Sequence, residues 1–171
     1  APELSAKAFD EDGYYLIGDA GKLVDAADAS QGVAFDGRVA EDFKLTSGTW
    51  VSVGTLRLKV VTAMAPHVGD VVITGHDREE IGLLVFPTPQ ARTLPEGELR
   101  AHVQAALRRM AGEGAGSSQT PTRALVQQDP PSPDAGEITD KGYINQRAVL
   151  SLRSAEVAAL YAGSDPRIIR P

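Results

Sequence analysis

The sequence predicts an α+β domain in which helices pack over a mixed sheet. Two strongly apolar segments, residues 68–74 and 81–86, are joined by a charged turn and are typical of a β-hairpin. Residues 99–110 repeat apolar side chains at helical spacing, with polar and basic side chains opposite, as in a helix that packs on a sheet by one stripe. From residue 41 onward the predicted order is hairpin, helix, hairpin, helix, strand, helix.

The first forty residues predict a few short strands without a core of their own. Residues 2–9 have the pattern of a surface helix, and residues 14–17, 21–24 and 32–35 are short apolar runs bounded by turn residues. Strands this short cannot bury a core alone. We therefore expect this segment to be the tail of a larger domain, cut from a longer protein.

The remaining elements complete the predicted domain. A turn at residues 46–49 predicts a hairpin, and residues 54–65 predict an amphipathic helix that a proline ends. A last short strand is expected at residues 124–127, and residues 144–161 are expected to form one terminal helix. The boundary between the first strands and this domain is expected within residues 38–44.

Composition excludes several classes of function. The 171-residue chain has a formal net charge of −6 and no cluster of lysine and arginine, which argues against a nucleic-acid-binding surface. It has no cysteine, so disulfides, thiolate metal sites and cysteine nucleophiles are excluded. The histidines lack the spacing of metal ligands, and no segment has the pattern of a membrane span or signal peptide. We expect a cytoplasmic protein without a protein-held metal site.

Three positions carry side chains suited to a nucleotide. Asp19 follows a glycine at a strand end, where its carboxylate could bind two sugar hydroxyls or simply belong to a turn. Arg38 ends another strand, where its guanidinium could reach phosphate or ribose or form only a surface ion pair. Lys141 lies in a glycine-flanked loop before a helix, and its ammonium either reaches into a cleft or stays solvated.

The order of these motifs resembles the C-terminal end of the adenylate-forming superfamily, which includes acyl-CoA synthetases, luciferases and peptide-synthetase adenylation domains. Within it, residues 35–51, the Gly-His-Asp run at 75–77 and the Glu-Ile-Thr-Asp-Lys-Gly run at 137–142 are similar to feruloyl-CoA synthases. The resemblance implies an ATP-dependent, AMP-forming aryl-CoA ligase. Such an enzyme forms an acyl-adenylate and then, after its small C-terminal domain rotates, an acyl-CoA thioester.

The resemblance also implies a role for each matching position. Asp19 corresponds to the aspartate that binds the ribose of ATP, and Arg38 to the arginine near ribose and phosphate. Lys141 corresponds to the lysine that stabilises the charge developing during adenylation. The positions implied for the hinge are Glu41, Asp42 and Lys44, and those implied for the pantetheine arm of CoA are Gly48, Thr49 and Trp50.

The implied organisation has three parts, which are an N-terminal-domain tail at residues 1–40, a hinge at 41–44 and a C-terminal domain at 45–171. The implied cofactors are ATP, Mg²⁺ and CoA, and the implied substrate is an aromatic carboxylic acid such as ferulate. In this family the phosphate loop and acyl pocket belong to a large N-terminal domain. That domain is the implied partner, and the chain alone is expected to be inactive.

Two alternatives stay open. The commoner family ending is Gly-Lys followed by an aliphatic and a basic residue, whereas here Gly142 and Tyr143 follow Lys141, so Tyr143 is a second match for the lysine position. The function is alternatively that of an adenylation domain loading a carrier protein, or of a non-catalytic binding module whose two loops are structural.

Overall fold

The computed structural model describes residue 5, residues 8–95 and residues 97–171. The chain divides into two compact units between Ala40 and Glu41. The division falls in a turn at residues 39–41, between two strands. The helix predicted at residues 2–9 lies mainly outside the described residues.

The first unit contains a two-stranded antiparallel ribbon. Strand β1 (Asp19–Leu23) pairs with β2 (Val33–Arg38), and a short 3-10 helix (Ala29–Gln31) lies in the connection. Large apolar side chains are exposed along it; Val33 and Phe35, for example, are each 68% exposed. A ribbon of this size has no interior in which to bury them.

The prediction of a strand at residues 14–17 was wrong. In the structure, Tyr15 makes only an isolated bridge to Phe9, and the amide of Tyr14 donates to the Asp10 carboxylate in a tight turn. Gly18 then has a positive φ of 76°, which interrupts the extended run. Pairing therefore starts at the next residue, two positions before the second predicted strand.

A three-stranded mixed sheet forms the centre of the second unit. Strand β5 (Val68–Thr74) pairs antiparallel with β6 (Ile81–Pro87), and β6 pairs in parallel with β7 (Pro121–Val126). The central strand β6 is buried along its whole length. The predicted α+β class with a mixed sheet is confirmed.

Helices pack on both faces of this sheet, because successive strand residues point to opposite sides. Helices α1 (Val53–Ala63) and α2 (Glu98–Gly112) share one apolar cluster with alternate residues of β5 and β6. Helices α3 (Gln146–Leu152) and α4 (Ser154–Ala162) share a second cluster with the intervening residues. Strands β3 (Phe43–Lys44) and β4 (Trp50–Val51) form the predicted hairpin before α1.

The single terminal helix predicted for residues 144–161 is two helices. The break is at Arg153, whose φ of −102° and ψ of 33° leave the helical region. Its guanidinium is turned toward Glu137 and the carbonyl of Pro130. Leu152, the last residue of α3 before the break, is 56% exposed.

Two kinds of feature are missing from the part of the chain that the structure describes. None of its helices combines the length and apolar content needed to cross a bilayer. No group of three or more histidine, aspartate and glutamate side chains there is arranged to hold a metal ion.

Candidate functional site

Lys141 lies at the tip of a hairpin-shaped loop formed by residues 137–145. The base of the loop is closed by a 2.8 Å hydrogen bond from the Asn145 amide to the Glu137 carbonyl. An antiparallel bridge between two isoleucines joins its arms further along. Ile144 is buried and Ile138 is half-buried in the second apolar cluster, so the arms of the loop pack against the core and residues 140–143 at its tip are exposed.

The tip of this loop is a tight turn closed by main-chain bonds of Thr139. The Thr139 carbonyl accepts from the Gly142 amide, and the Thr139 amide donates to the Tyr143 carbonyl, both at 2.8 Å. Gly142 has a φ of 81°, which a glycine adopts without strain, so the turn explains the glycine that departs from the commoner ending. Lys141 is exposed, and within the described ranges no side chain or carbonyl pairs with its ammonium.

The upstream arm of the loop is fixed by a buried ion pair. Glu137 is only 3% exposed, and its two carboxylate oxygens accept from Nε and Nη2 of Arg153 at 2.7 and 2.8 Å. The Ser132 amide donates a further bond of 2.7 Å to the same carboxylate. Hydrogen bonds from Arg153 hold the pKa of Glu137 below its usual 4.5, although burial opposes the shift.

The downstream arm is fixed by Gln146, the first residue of α3. Its side chain is 2% exposed and makes two bonds to the main chain of Ile73 in β5. The amide nitrogen donates to the Ile73 carbonyl at 2.7 Å, and the amide oxygen accepts from the Ile73 N–H at 3.2 Å. Both ends of the Lys141 loop are therefore attached to the domain core by buried polar side chains.

The hairpin around Gly48 is the second exposed loop of this unit. The Gly48 amide donates to the Leu45 carbonyl at 2.8 Å, and Gly48 has a φ of 81°. A side chain at this position would meet no atom within 4 Å, so the glycine is required by its backbone angle and not by crowding. Trp50 is half exposed, with the Lys44 ammonium 5.7 Å from its ring centroid.

This hairpin rests on the turn at residues 75–80. The Thr46 amide donates to the Arg78 carbonyl at 2.9 Å, and the Asp77 amide donates to the Lys44 carbonyl at 3.3 Å. These bonds are between main chains, and the buried side chains of Phe43, Leu45 and Val51 also attach the hairpin to the first apolar cluster.

The turn is held in place by a network around Tyr161. The Tyr161 hydroxyl donates to the Glu80 carbonyl at 3.1 Å and accepts from the Thr74 hydroxyl at 2.9 Å. Arg123, which is 7% exposed, pairs with the Glu80 carboxylate at 2.8 Å and stacks over the Tyr161 ring at 4.8 Å. Burial raises the pKa of Tyr161 above its usual 10.0.

A cleft of about 260 Å³ lies between the 75–80 turn and helices α3 and α4. Phe43, Arg78 and Val157 are among its lining residues. Pockets that enclose a small molecule usually measure about 300–1,000 Å³. The cleft is therefore too small to enclose a nucleotide or CoA.

The two predicted nucleotide ligands of the first unit lie opposite each other. Asp19 and Arg38 are cross-strand partners in the ribbon, with 4.0 Å between the carboxylate and the guanidinium Nε. Their side chains are 43% and 62% exposed, so this contact contributes little stability. Both groups face solvent and are free to exchange this contact for a ligand.

The predicted hinge residues differ in how firmly they are held. The Asp42 carboxylate accepts from the Val53 amide at 2.9 Å, which caps the start of α1 in place of Ser52. Lys44 belongs to β3 and pairs with Trp50. Glu41 lies in the turn at which the two units divide.

Sequence reasoning placed Lys141 in a loop and Arg38 at a strand end, where the structure has them; it placed Asp19 after a strand at residues 14–17, whereas Asp19 begins β1. It missed Glu137 as an anchor, together with Arg153, Gln146 and the Tyr161 network. Each of these acts through a contact between residues distant in sequence, and no local pattern marks it.

A comparison with protein families matches residues 45–165 to the C-terminal domain of AMP-binding enzymes. A carboxylic acid reductase from Segniliparus rugosus is 29% identical over 165 residues, covering 94% of this chain and 13% of that protein. The chain thus spans a small part of the relative.

Two solved structures from the same organism are similar over the same extent. The adenylation domain of the reductase, in complex with AMP and a co-purified carboxylic acid, has a TM-score of 0.75 at 26% identity, covering 94% of this chain and 25% of that chain. The A-PCP didomain, in complex with AMP, has a TM-score of 0.76 at 27% identity, covering 94% and 22%.

These findings confirm the resemblance to the adenylate-forming superfamily. They do not support the narrower resemblance to feruloyl-CoA synthases, because these relatives are carboxylic acid reductases. The chain belongs to the family of AMP-binding enzyme C-terminal domains.

Proposed function

We propose that this chain contains the C-terminal domain of an ATP-dependent, carboxylate-activating enzyme that forms an acyl-adenylate and transfers the acyl group to a thiol. One observation carries the proposal. The Lys141 ammonium stands exposed at the tip of an anchored loop, without a partner in the described residues. An exposed cation on a rigid support is suited to act on a phosphate held by another domain.

In the first half-reaction a carboxylate oxygen of the substrate attacks the α-phosphorus of ATP, and the bond to pyrophosphate breaks. Negative charge grows on the phosphoryl oxygens in the transition state. The Lys141 ammonium stabilises this charge as a positioned cation. Because the ammonium has no competing ion pair among the described residues, no such contact has to be broken before it reaches the nucleotide.

Asp19 and Arg38 bind the nucleotide in this proposal. The Asp19 carboxylate accepts hydrogen bonds from the ribose hydroxyls, and the Arg38 guanidinium contacts ribose and phosphate. Their position on facing strands of one ribbon supports a shared ligand. The exposed apolar side chains of this ribbon are then covered by the large N-terminal domain.

In the second half-reaction a thiol sulfur attacks the acyl carbon of the adenylate, and AMP leaves. The Gly48 hairpin, with Thr49 and Trp50, lines the path of the pantetheine arm after the domain has rotated. We place the rotation at residues 39–41, because Asp42 is bonded to α1 and Lys44 belongs to a strand pair. The described residues before this turn then move as one body and those after it as another.

Mg²⁺ accompanies ATP in enzymes that transfer phosphoryl or adenylyl groups. The described residues offer no set of ligands for it. Its ligands in this proposal are the phosphates of ATP and residues of the large N-terminal domain. The two half-reactions described above assign no step to it.

CoA is the first candidate acceptor, which makes the enzyme an aryl-CoA ligase similar to feruloyl-CoA synthases. A carrier-protein thiol is the second candidate. The carrier-protein thiol is favoured by the similarity to a reductase, because the adenylation domain of that reductase has been solved together with a PCP domain. Presenting the full-length protein with acyl-adenylate and either CoA or a pantetheinylated carrier distinguishes the two by the thioester formed.

The role of Lys141 is tested with the full-length protein, ferulate and ATP, measuring pyrophosphate release and, separately, thioester formation from preformed adenylate. Lys141→Ala should slow adenylation about 100- to 1,000-fold and leave the second half-reaction nearly unchanged. Lys59→Ala, which removes a helix-surface ion pair with Glu113, is the matched control and should change neither.

Equal loss in both half-reactions of Lys141→Ala would contradict the proposed role. Tyr143→Ala resolves the alternative register. If that variant loses adenylation while Lys141→Ala retains it, the functional position is Tyr143, and the charge-stabilising role given to Lys141 is wrong.

A further inference from the structure

Arg153 makes an unusual number of contacts for a residue between two helices. Its guanidinium donates five hydrogen bonds, two of them to the Glu137 carboxylate. The other three go to the side chain of Gln127 and to the carbonyls of Asp129 and Pro130, at 3.0 to 3.1 Å. It therefore joins the end of β7, the proline-rich linker and the start of the Lys141 loop.

The pair is buried, which makes stability a weak explanation for it. The side chains of Arg153 and Glu137 are 12% and 4% exposed. Removing two charges from water costs free energy that their attraction offsets only when every bond is made, and an apolar replacement is often as stable. The arginine also breaks the terminal helix at its own position. The guanidinium also lies over the ring of buried Phe86 at 4.9 Å, and a geometric role accounts for the bonds that this stacking does not need.

The geometry connects this pair to the proposed catalytic lysine. Glu137 begins the loop, and its carbonyl accepts the bond from Asn145 that closes the loop's base. Lys141, at the far end, has no side-chain hydrogen bond or ion pair within the described residues to hold its own direction. The direction of the ammonium therefore depends on how the arms are held, by the bonds of Glu137 at the base and by the packing of Ile138 and Ile144 in the second apolar cluster.

We propose that Arg153 is a positioning residue for Lys141, acting through Glu137 to hold the loop in the orientation that adenylation requires. This inference rests on the proposed function, because it gives Lys141 its role in adenylation. Gln146 fixes the other arm, so a weakened Arg153 contact shifts the tip without detaching the loop.

The test replaces Arg153 by lysine in the full-length protein. Lysine keeps the positive charge but loses the planar fork that bonds Glu137 at two points. Arg57→Lys is the matched control, because Arg57 also forms a two-point pair, with Asp70, and no bond among the described residues links it to either exposed loop. Both half-reactions are measured, together with hydrogen exchange at the amides of Thr139 and Asn145, which are bonded within the Lys141 loop.

Arg153→Lys should slow adenylation at least about tenfold, since misplacing a reacting group by about 1 Å can cost about 100-fold. Thioester formation from preformed adenylate should stay within about twofold of the unmodified protein. The amides of the Lys141 loop should exchange faster than in Arg57→Lys. A purely structural role would instead slow both half-reactions together or neither.

Adenylation as fast as in the control, or an equal loss in both half-reactions, would overturn the positioning role. Lys141→Ala separates a failure of the positioning role from a failure of the proposed function. If that variant loses adenylation while Arg153→Lys does not, only the positioning role fails; if both retain adenylation, the proposed function fails with it. Should Arg153→Lys not fold, Glu137→Gln keeps the side chain's shape, weakens the same pair, and is judged by the same criteria.

Discussion

The Lys141 loop and the Gly48 hairpin are both exposed, yet they are attached to the domain in different ways. The Lys141 loop is held by two buried side-chain systems, the pair of Glu137 with Arg153 and the bonds of Gln146 to β5. The Gly48 hairpin is bonded to the 75–80 turn through main chains alone, and the buried side chains of Phe43, Leu45 and Val51 pack it on the first apolar cluster. Because the hydrogen bonds of the two attachments share no residue, a substitution in one leaves the bonds of the other in place.

Under the proposed function, this difference predicts that the two half-reactions are separable by mutation. A buried side-chain anchor can be weakened by one substitution, whereas a main-chain anchor survives most substitutions and responds mainly to changes of backbone angle. The contrast predicts which variants alter chemistry and which alter stability.

The largest effect outside Lys141 is expected for Gly48→Val. The backbone angle of 81° is unfavourable for a β-branched residue, and the new side chain projects into the proposed path of the thiol arm. Thioester formation from preformed adenylate should fall about 100-fold, with adenylation little changed. Rapid quenching of the second half-reaction measures this, and a loss confined to adenylation would remove the hairpin from thioester formation.

Gln146→Ala should lower the free energy of unfolding by about 2 kcal/mol, because it leaves the buried main-chain groups of Ile73 unpaired. Gln104→Ala is the control, since it removes one surface bond to the Arg170 carbonyl and should cost under about 0.5 kcal/mol. Urea unfolding measures both. Equal values would mean that Gln146 is not the anchor of the downstream arm.

Tyr161→Phe should cost about 1 kcal/mol, because it removes the hydroxyl that bonds the Glu80 carbonyl. A raised pKa means that the stabilisation of neutral Tyr161 is present below pH 10.0 and is lost as pH rises through the higher folded-state pKa. The variant should therefore lose less stability than the unmodified chain above pH 10.0. If the stability of Tyr161→Phe and of the unmodified chain changed identically above pH 10.0, the stabilising role of the buried hydroxyl would be contradicted.

The smallest effect is expected for Glu137→Gln in acid. A lowered pKa means that the stabilisation from the Glu137 carboxylate is present above pH 4.5 and is lost as pH falls through the lower folded-state pKa. The unmodified chain should therefore lose stability more steeply than this variant on acidification below pH 4.5. Glu79→Gln, at an exposed position, is the control and should follow the unmodified profile.

Much of the fold follows from local pattern. The hairpin at residues 68–87, helices α1 and α2 and the β3–β4 hairpin are encoded by periodicity and turn residues within each segment. The helix break at Arg153 could not be predicted, because the local sequence favours a continuous helix and the contact with Glu137 overrides it. The strand prediction at residues 14–17 was wrong for a related reason, because an apolar run needs a strand partner to become a strand.

In the candidate site, too, some residues could be predicted from local sequence and others depend on contacts made by folding. Lys141, Asp19 and Arg38 carry their chemistry in their own side chains and stand next to glycines, so motif order could identify them. Glu137 and Gln146 act as anchors only through partners brought near by folding. Their roles are visible only in the structure.

The ratio of the two half-reaction rates in Lys141→Ala and Gly48→Val, measured side by side in the full-length protein, tests the separation of the two loops most directly. Separate roles predict opposite changes, with adenylation selectively slowed in the first variant and thioester formation selectively slowed in the second. Parallel losses in both variants would contradict separate roles for the two loops.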